Sequence, residues 1–170
     1  MENKKIWVIT DTHLYHKNII EYENRPENYN ELILENWRAM VGMNDMVLHL
    51  GDVIFRQAHM LNEILGSLPG LKILTMGNHD NRTGTMAWFE KRGFEHVCRE
   101  YVIDDIVFSH KPIDMTSRRE KYNIHGHFHT KSHSAGTYPY YDDARHIKLA
   151  IEEEEYKPVL LTDILSRRNK

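Results

Sequence analysis

Three short apolar runs in the first half of the chain each stop abruptly at aspartate, asparagine or histidine. Lys5–Thr10 (KIWVIT) ends in Asp11-Thr12-His13, Met46–Leu50 (MVLHL) in Gly51-Asp52, and Leu71–Met76 (LKILTM) in Gly77-Asn78-His79-Asp80. Runs of this length, rich in β-branched residues, read as buried strands. Between the first two, Asn30–Val41 places Leu32, Ile33, Trp37, Met40 and Val41 at the spacing of an amphipathic helix. Gln57–Leu68 reads as a second helix before the Pro69-Gly70 turn. Strand, helix and strand in alternation predict βαβ units, a parallel sheet and the α/β class.

The second half continues in the same style. Gly84 to Lys91 reads as a helix, and His96–Ile103 and Ile106–Ser109 as strands joined through Asp104-Asp105. Tyr122–His125 is a strand ending in Gly126-His127-Phe128-His129, and Lys131–Asp143 a long polar loop. Ile147–Ile151 and Pro158–Leu161 are expected strands, followed by a helix over Thr162–Arg168 capped by Thr162. No repeat or linker divides the chain, so residues 1–170 are expected to form one domain.

Composition narrows the setting. One cysteine, Cys98, excludes an internal disulfide and a Cys-rich zinc framework, and suits a reducing cytoplasm. No apolar stretch is long enough to span a bilayer and no signal core follows Met1–Lys5, so no membrane partner is expected. The formal net charge of -3, with no evident basic face, argues against a long nucleic acid as substrate. Histidine is unusually frequent, with 12 in 170 residues, and only position decides what that means.

Position is informative. Asp11 and His13 follow the first strand, Asp52 the second, and Asn78 and His79 the third. His110 follows Ile106–Ser109, and His127 and His129 follow Tyr122–His125. Open α/β sheets gather ligands beyond the carboxyl ends of their strands. Five strand ends therefore deliver side chains to one patch. In extended chain, alternation turns both members of Asp11-x-His13 and of His127-x-His129 to one side. Carboxylates, imidazoles and an amide oxygen suit manganese first, with iron, zinc, cobalt or nickel as alternatives, over the all-oxygen shells of magnesium and calcium. Seven ligands, Asp11, His13, Asp52, Asn78, His110, His127 and His129, exceed one tetrahedral ion. They suit two divalent ions roughly 3.5–4 Å apart, with a bridging hydroxide as in-line nucleophile. His79, surplus to that cage, is the candidate general acid.

These residues resemble the five ordered motifs of calcineurin-like metallophosphoesterases: Asp11-x-His13, Gly51-Asp52, Gly77-Asn78-His79-Asp80, His110 and Gly126-His127-x-His129. The resemblance implies an α/β/β/α sandwich of two mixed sheets flanked by helices. It implies that Asp11, His13 and His129 hold a first metal, that Asn78, His110 and His127 hold a second, and that Asp52 bridges them. It also implies that His79 donates a proton and contacts phosphate. Small single-domain bacterial and phage members are the nearest likeness. The Asp-Arg-Gly of the protein phosphatases is absent after Asp52, where Val53-Ile54-Phe55-Arg56-Gln57 stands, and Asp80 replaces their glutamate. Both departures point toward a phosphodiesterase on a small nucleotide-type phosphate ester. A nuclease on short nucleic acid and a catalytically weak metal-binding scaffold are the rivals; the scaffold is disfavoured because every motif position is filled.

His16, Arg56 and Arg82 are substrate-contact candidates, although a solvated loop is the plainer reading for His16. His49, His59, His96 and His146 read as structural, and His125 as structural or a support for the ligands. Trp88 and Phe89 read as packing residues, and Glu152–Glu155 as a solvated acidic face.

Overall fold

The computed structural model describes residues 4–130 and 135–169. Part of the Lys131–Asp143 loop lies outside them. The strands are β1 (Ile6–Ile9), β2 (Met46–His49), β3 (Leu71–Thr75), β4 (His96–Cys98), β5 (Glu100–Ile103), β6 (Ile106–Ser109), β7 (Tyr122–His125), β8 (His146–Lys148) and β9 (Val159–Leu160). The helices are α1 (Ile19–Glu23), α2 (Tyr29–Met40), α3 (Leu61–Gly66), α4 (Asp80–Thr83), α5 (Met86–Glu90) and α6 (Leu161–Ser166). Two mixed sheets result, with orders β4-β3-β2-β1-β9 and β5-β6-β7-β8. β1 to β4 run parallel and β9 antiparallel to β1; β6, β7 and β8 run parallel and β5 antiparallel to β6.

Strand alternation builds two cores. Trp7, Ile9, Val47 and Leu74 leave one face of the first sheet and pack with Ile33 and Trp37 of α2, Leu65 of α3 and Phe89 of α5. Val8, Leu48 and Ile73 leave the other face and meet Ile106, Phe108 and Ile124 of the second sheet. Both faces of the first sheet are thus apolar, as expected of a covered parallel sheet. The outer face of the second sheet is covered from the segments that flank β7: Ile113 N–H donates to Asn123 (3.2 Å), and Tyr141 stacks on His146 at 4.6 Å.

The predicted helices exist with trimmed ends, but one strand was two. His96–Ile103 breaks at Arg99, where the chain leaves the edge of the first sheet and becomes the edge of the second. Periodicity cannot register such a break, because both pieces alternate alike. Thr162 does not cap the last helix; Leu160 occupies that position without a side-chain cap, and Thr162 lies in the first turn. A side-chain cap is found at Thr85, which accepts from Trp88 N–H at 3.2 Å. Among the described residues no helix is long and apolar enough to cross a membrane.

Candidate metal centre

The ribbon of β1 and β2 does not end where the strands do. Leu50 N–H donates to Ile9 O (2.8 Å), Asp11 N–H to Gly51 O (3.0 Å), His13 N–H to Asp52 O (2.9 Å) and Leu14 N–H to Val53 O (2.9 Å). The acidic and imidazole side chains therefore sit on a zipped double segment rather than on free loops. Along it the backbone turns sharply. Asp11 (φ 48°), His13 (φ 45°) and Asp52 (φ 55°), with His127 (φ 67°) from the other sheet, are in the left-handed region. Each such residue costs of order 1–3 kcal/mol and persists only where its surroundings over-determine it. The extended alternation expected for Asp11-x-His13 is thus not what aims these side chains; left-handed turns are.

Several groups enforce those turns. Asp80 accepts from Asp52 N–H (2.7 Å), Val53 N–H (2.9 Å) and Gly77 N–H (2.8 Å), tying the ends of β2 and β3 together. Gly51 N–H donates to His49 Nδ1 (3.2 Å), so His49 Nε2 carries the hydrogen and donates to Thr12 Oγ1 (2.9 Å), which donates to Val53 O (2.8 Å). Tyr29 O–H donates to His13 O (2.7 Å) and accepts from His16 N–H (2.9 Å). Two glycines permit the close approach. A Cβ on Gly77 would overlap the Asp52 carboxylate, and one on Gly126 would overlap Thr10 Oγ1 and the Asp11 carboxylate.

Among the described residues the predicted ligands converge in two groups, and a third, Glu23, His129 and Glu152, adjoins them through His129. Asp11, His13 and His129 form one and Asp11, Asp52 and His110 the other, each with ligand atoms within 4.8 Å of one another. Asp52 Oδ2 lies between the two: 3.7 Å from His13 Nε2, 3.4 Å from His110 Nε2 and 4.0 Å from His79 Nε2. Asn78 Oδ1 is 3.1 Å from His110 Nε2. His127 donates its backbone N–H to Asp11 Oδ2 (2.9 Å), and its ring lies 5.0 Å from that of His110. Neither group includes the His127 ring.

A cation fits this donor set. His110 Nδ1 faces Leu50 O at 2.8 Å, and a carbonyl only accepts, so Nδ1 bears the hydrogen. With Nδ1–H so engaged, Nε2 is the atom left to face Asp52 Oδ2 and Asn78 Oδ1, as a metal ligand would. His129 Nδ1 donates to Glu152 Oε1 (2.9 Å) and turns Nε2 toward Asp11 Oδ1 at 3.6 Å. Asp11 Oδ1 is buried without a hydrogen-bond partner, which is costly unless something positive meets it. The charges agree. Burial, and then the neighbouring Asp11, push Asp52 up to about 7. Burial also raises Asp11, but His110, His129 and His13 outweigh it and hold that carboxyl below the usual range. A cation between the two carboxylates would offset their repulsion.

Two supporting residues were not foreseen. Glu152 is no part of a solvated face. Its Oε1 accepts from His129 and from Arg25 Nε (3.0 Å) and Nη2 (2.7 Å), while Arg25 also donates to Thr12 O (2.8 Å) and Asp11 O (2.7 Å). Burial raises Glu152, but His129 and Arg25 more than reverse it, so it is held ionised; His129, lowered by burial, is raised on balance by Glu152 and Asp11. Such a carboxylate–histidine pair fixes the tautomer a metal ligand needs. Glu152 is hidden in an acidic run and Arg25 precedes a proline, so nothing in the sequence singled them out.

His16 is also not solvated. It is buried, accepts from Ile19 N–H (3.1 Å) through Nδ1, and its ring lies 3.9 Å from Phe55, 5.6 Å from His13 and 6.3 Å from His79. Burial lowers its pKa, and Arg56 lies close enough to add to that. His79 is part-exposed beside His13 (5.1 Å between rings); burial lowers it too, with His16 and Arg82 contributing. Arg56 and Arg82 themselves are exposed. His125 and His146 pack against Tyr141, and neither belongs to the two groups.

Fold and site together define a class, proteins that place metal-ligand clusters where two mixed sheets end side by side. The particular family follows from comparison. The model of the calcineurin-like phosphoesterases matches residues 4–169, and the chain belongs to that family. It is 32% identical over 169 residues to an uncharacterized protein of Methanocaldococcus jannaschii, covering 95% of this chain and 89% of that one. It is 35% identical over 81 residues to the gene 66 protein of Mycobacterium phage L5, covering 44% of this chain and 39% of that protein. A crystal structure of a protein of unknown function from Aquifex aeolicus superposes with a TM-score of 0.75 at 26% identity, covering 97% of this chain and all (100%) of the other. Family and Asp/His clusters support a metal-dependent phosphoesterase.

Proposed function

We propose that the protein is a single-domain phosphodiesterase that hydrolyses a small nucleotide-type ester at two divalent cations, manganese by preference, with His79 as proton donor. The observation that carries this reading is the position of Asp52 Oδ2, within 3.7 Å of His13 Nε2 on one side and 3.4 Å of His110 Nε2 on the other. One carboxylate oxygen facing imidazoles of both clusters suits a shared ligand. Asp11, His13 and His129 would hold one cation, and Asn78, His110 and His127 the other. Bound there, the cations would supply Lewis acidity to the phosphoryl group and lower the pKa of water.

This chain's own residues would do the rest. Two divalent charges against two aspartates leave the site positive, which favours an anionic ester. His79 stands part-exposed with Nε2 4.0 Å from Asp52 Oδ2, close enough to reach a leaving oxygen and open enough to be reprotonated. Its backbone N–H donates to Asp52 Oδ1 (2.8 Å), so the acid and the shared carboxylate are set relative to one another. An aromatic rim supports the nucleotide-type reading. Phe55, 40% exposed, lies 5.6 Å from His79, and Tyr22, 59% exposed, lies 6.4 Å from His16. Exposed rings beside a phosphate site offer a face for a flat base.

Hydrolysis of bis-p-nitrophenyl phosphate against p-nitrophenyl phosphate, with manganese and then with chelator, tests the proposal. The diester is expected to be cleaved faster and chelator to stop it. Chelator-indifferent activity would refute the metal mechanism, and a preference for the monoester would refute the diesterase assignment.

A further inference from the structure

We infer that the metal centre opens into a second anion subsite, formed by Arg99 and Lys111, which receives a phosphate carried by the substrate beyond the one being cleaved. This rests on the phosphoesterase reading and names the substrate class of that site: nucleotides bearing a second phosphate.

Topology supplies the placement. Arg99 follows β4, the strand beside β3, whose carboxyl end carries Asn78. In the second sheet Glu100 pairs with Ser109, which puts Arg99 level with His110, and Lys111 follows His110 directly. Arg99 therefore stands at the same sheet edge as the candidate metal ligands, where α/β sheets take their ligands. A cleft of about 310 Å³ joins these groups, lined by Asn78 and His110 at its metal end and by Arg99 and Lys111 beyond them. That volume is at the small end of ligand clefts and suits one phosphate-bearing group.

Charge supplies the chemistry. Arg99 and Lys111 are exposed, and neither makes a side-chain hydrogen bond or ion pair with the described residues. The acidic residue in the cleft does not neutralise them, because Glu100 is held by Arg118 at 2.9 Å. Arg118 itself also holds Glu120 (3.1 Å). Two unpaired cations at the lip of a cleft that ends in metal ligands form a path for a polyanionic small molecule, and guanidinium matches phosphate in particular.

Calorimetry on the manganese-loaded chain tests this with adenosine 5′-monophosphate and adenosine 3′,5′-bisphosphate as probes. The bisphosphate is expected to bind about tenfold tighter, the worth of one charge-assisted contact. Arg99→Gln and Lys111→Gln should each shrink that ratio, the double variant should bring it to about one, and Arg99→Lys should keep most of it. Added salt should reduce the wild-type ratio. Equal affinities in the wild type, or a ratio that survives the double variant, would overturn the subsite. Bis-p-nitrophenyl phosphate hydrolysis is measured separately: if it fails while the binding ratio holds, the catalytic reading is lost and the subsite stands.

Discussion

The two sides of the candidate metal centre are built differently. The side of Asp11, His13 and His129 is closed: Arg25 and Glu152 hold it through charged hydrogen bonds, with the Arg25 side chain at 0% exposure. The side of Asn78 and His110 is braced by one main-chain carbonyl, Leu50 O, and opens into the cleft beside Arg99 and Lys111. The difference teaches that one site owes its geometry to a buried ionic network and the other to the backbone. Asp11, which belongs to both groups, Asp52 and the ends of β2 and β3 connect the two.

That contrast can be broken in four ways. Asp52→Asn touches both sides, and is expected to lower turnover on the order of 10⁴-fold and weaken both cations together; loss of only one ion by metal analysis would show that Asp52 is not shared. His79→Ala should lower kcat by roughly 10²–10⁴-fold while two equivalents of metal remain bound. Loss of metal would make His79 a ligand. Glu152→Gln should weaken metal affinity by about 10–100-fold on the closed side alone. A single weakened isotherm beside an unchanged one sharpens the comparison, and equal weakening of both erases it.

The smallest effect concerns stability. Burial pushes His49, which braces the Thr12 segment of the closed side, down to about 3. An imidazole with a lowered folded pKa stays neutral while the unfolded chain takes up a proton below about 6.5, so stability falls as pH drops from about 6.5 toward 3. In thermal melts of the metal-free protein, His49→Gln should flatten that fall by up to about 1.4 kcal/mol per pH unit. Identical pH slopes in variant and wild type would show that folded His49 takes up its proton as readily as the unfolded chain does.

Much of this was legible along the chain. The strands that end in Asp11, Asp52, Asn78 and His110 were readable because a buried strand needs a continuous apolar run, and a run that stops at acids and imidazoles marks its own end. His49 read as structural, and its hydrogen bonds to Gly51 and Thr12 agree. The break at Arg99 was not readable, nor was the charged network. Arg25 and Glu152 stand 127 residues apart, and local pattern carries no information about a contact over that separation.

The sequence by itself determined which residue types stand at which strand ends, because strand periodicity and ligand chemistry are both local properties. Only the tertiary structure decided how those residues are aimed. The left-handed turns at Asp11, His13, Asp52 and His127 are unfavourable in isolation, and they exist because Asp80, His49, Tyr29, Arg25 and Glu152 hold them from elsewhere in the fold.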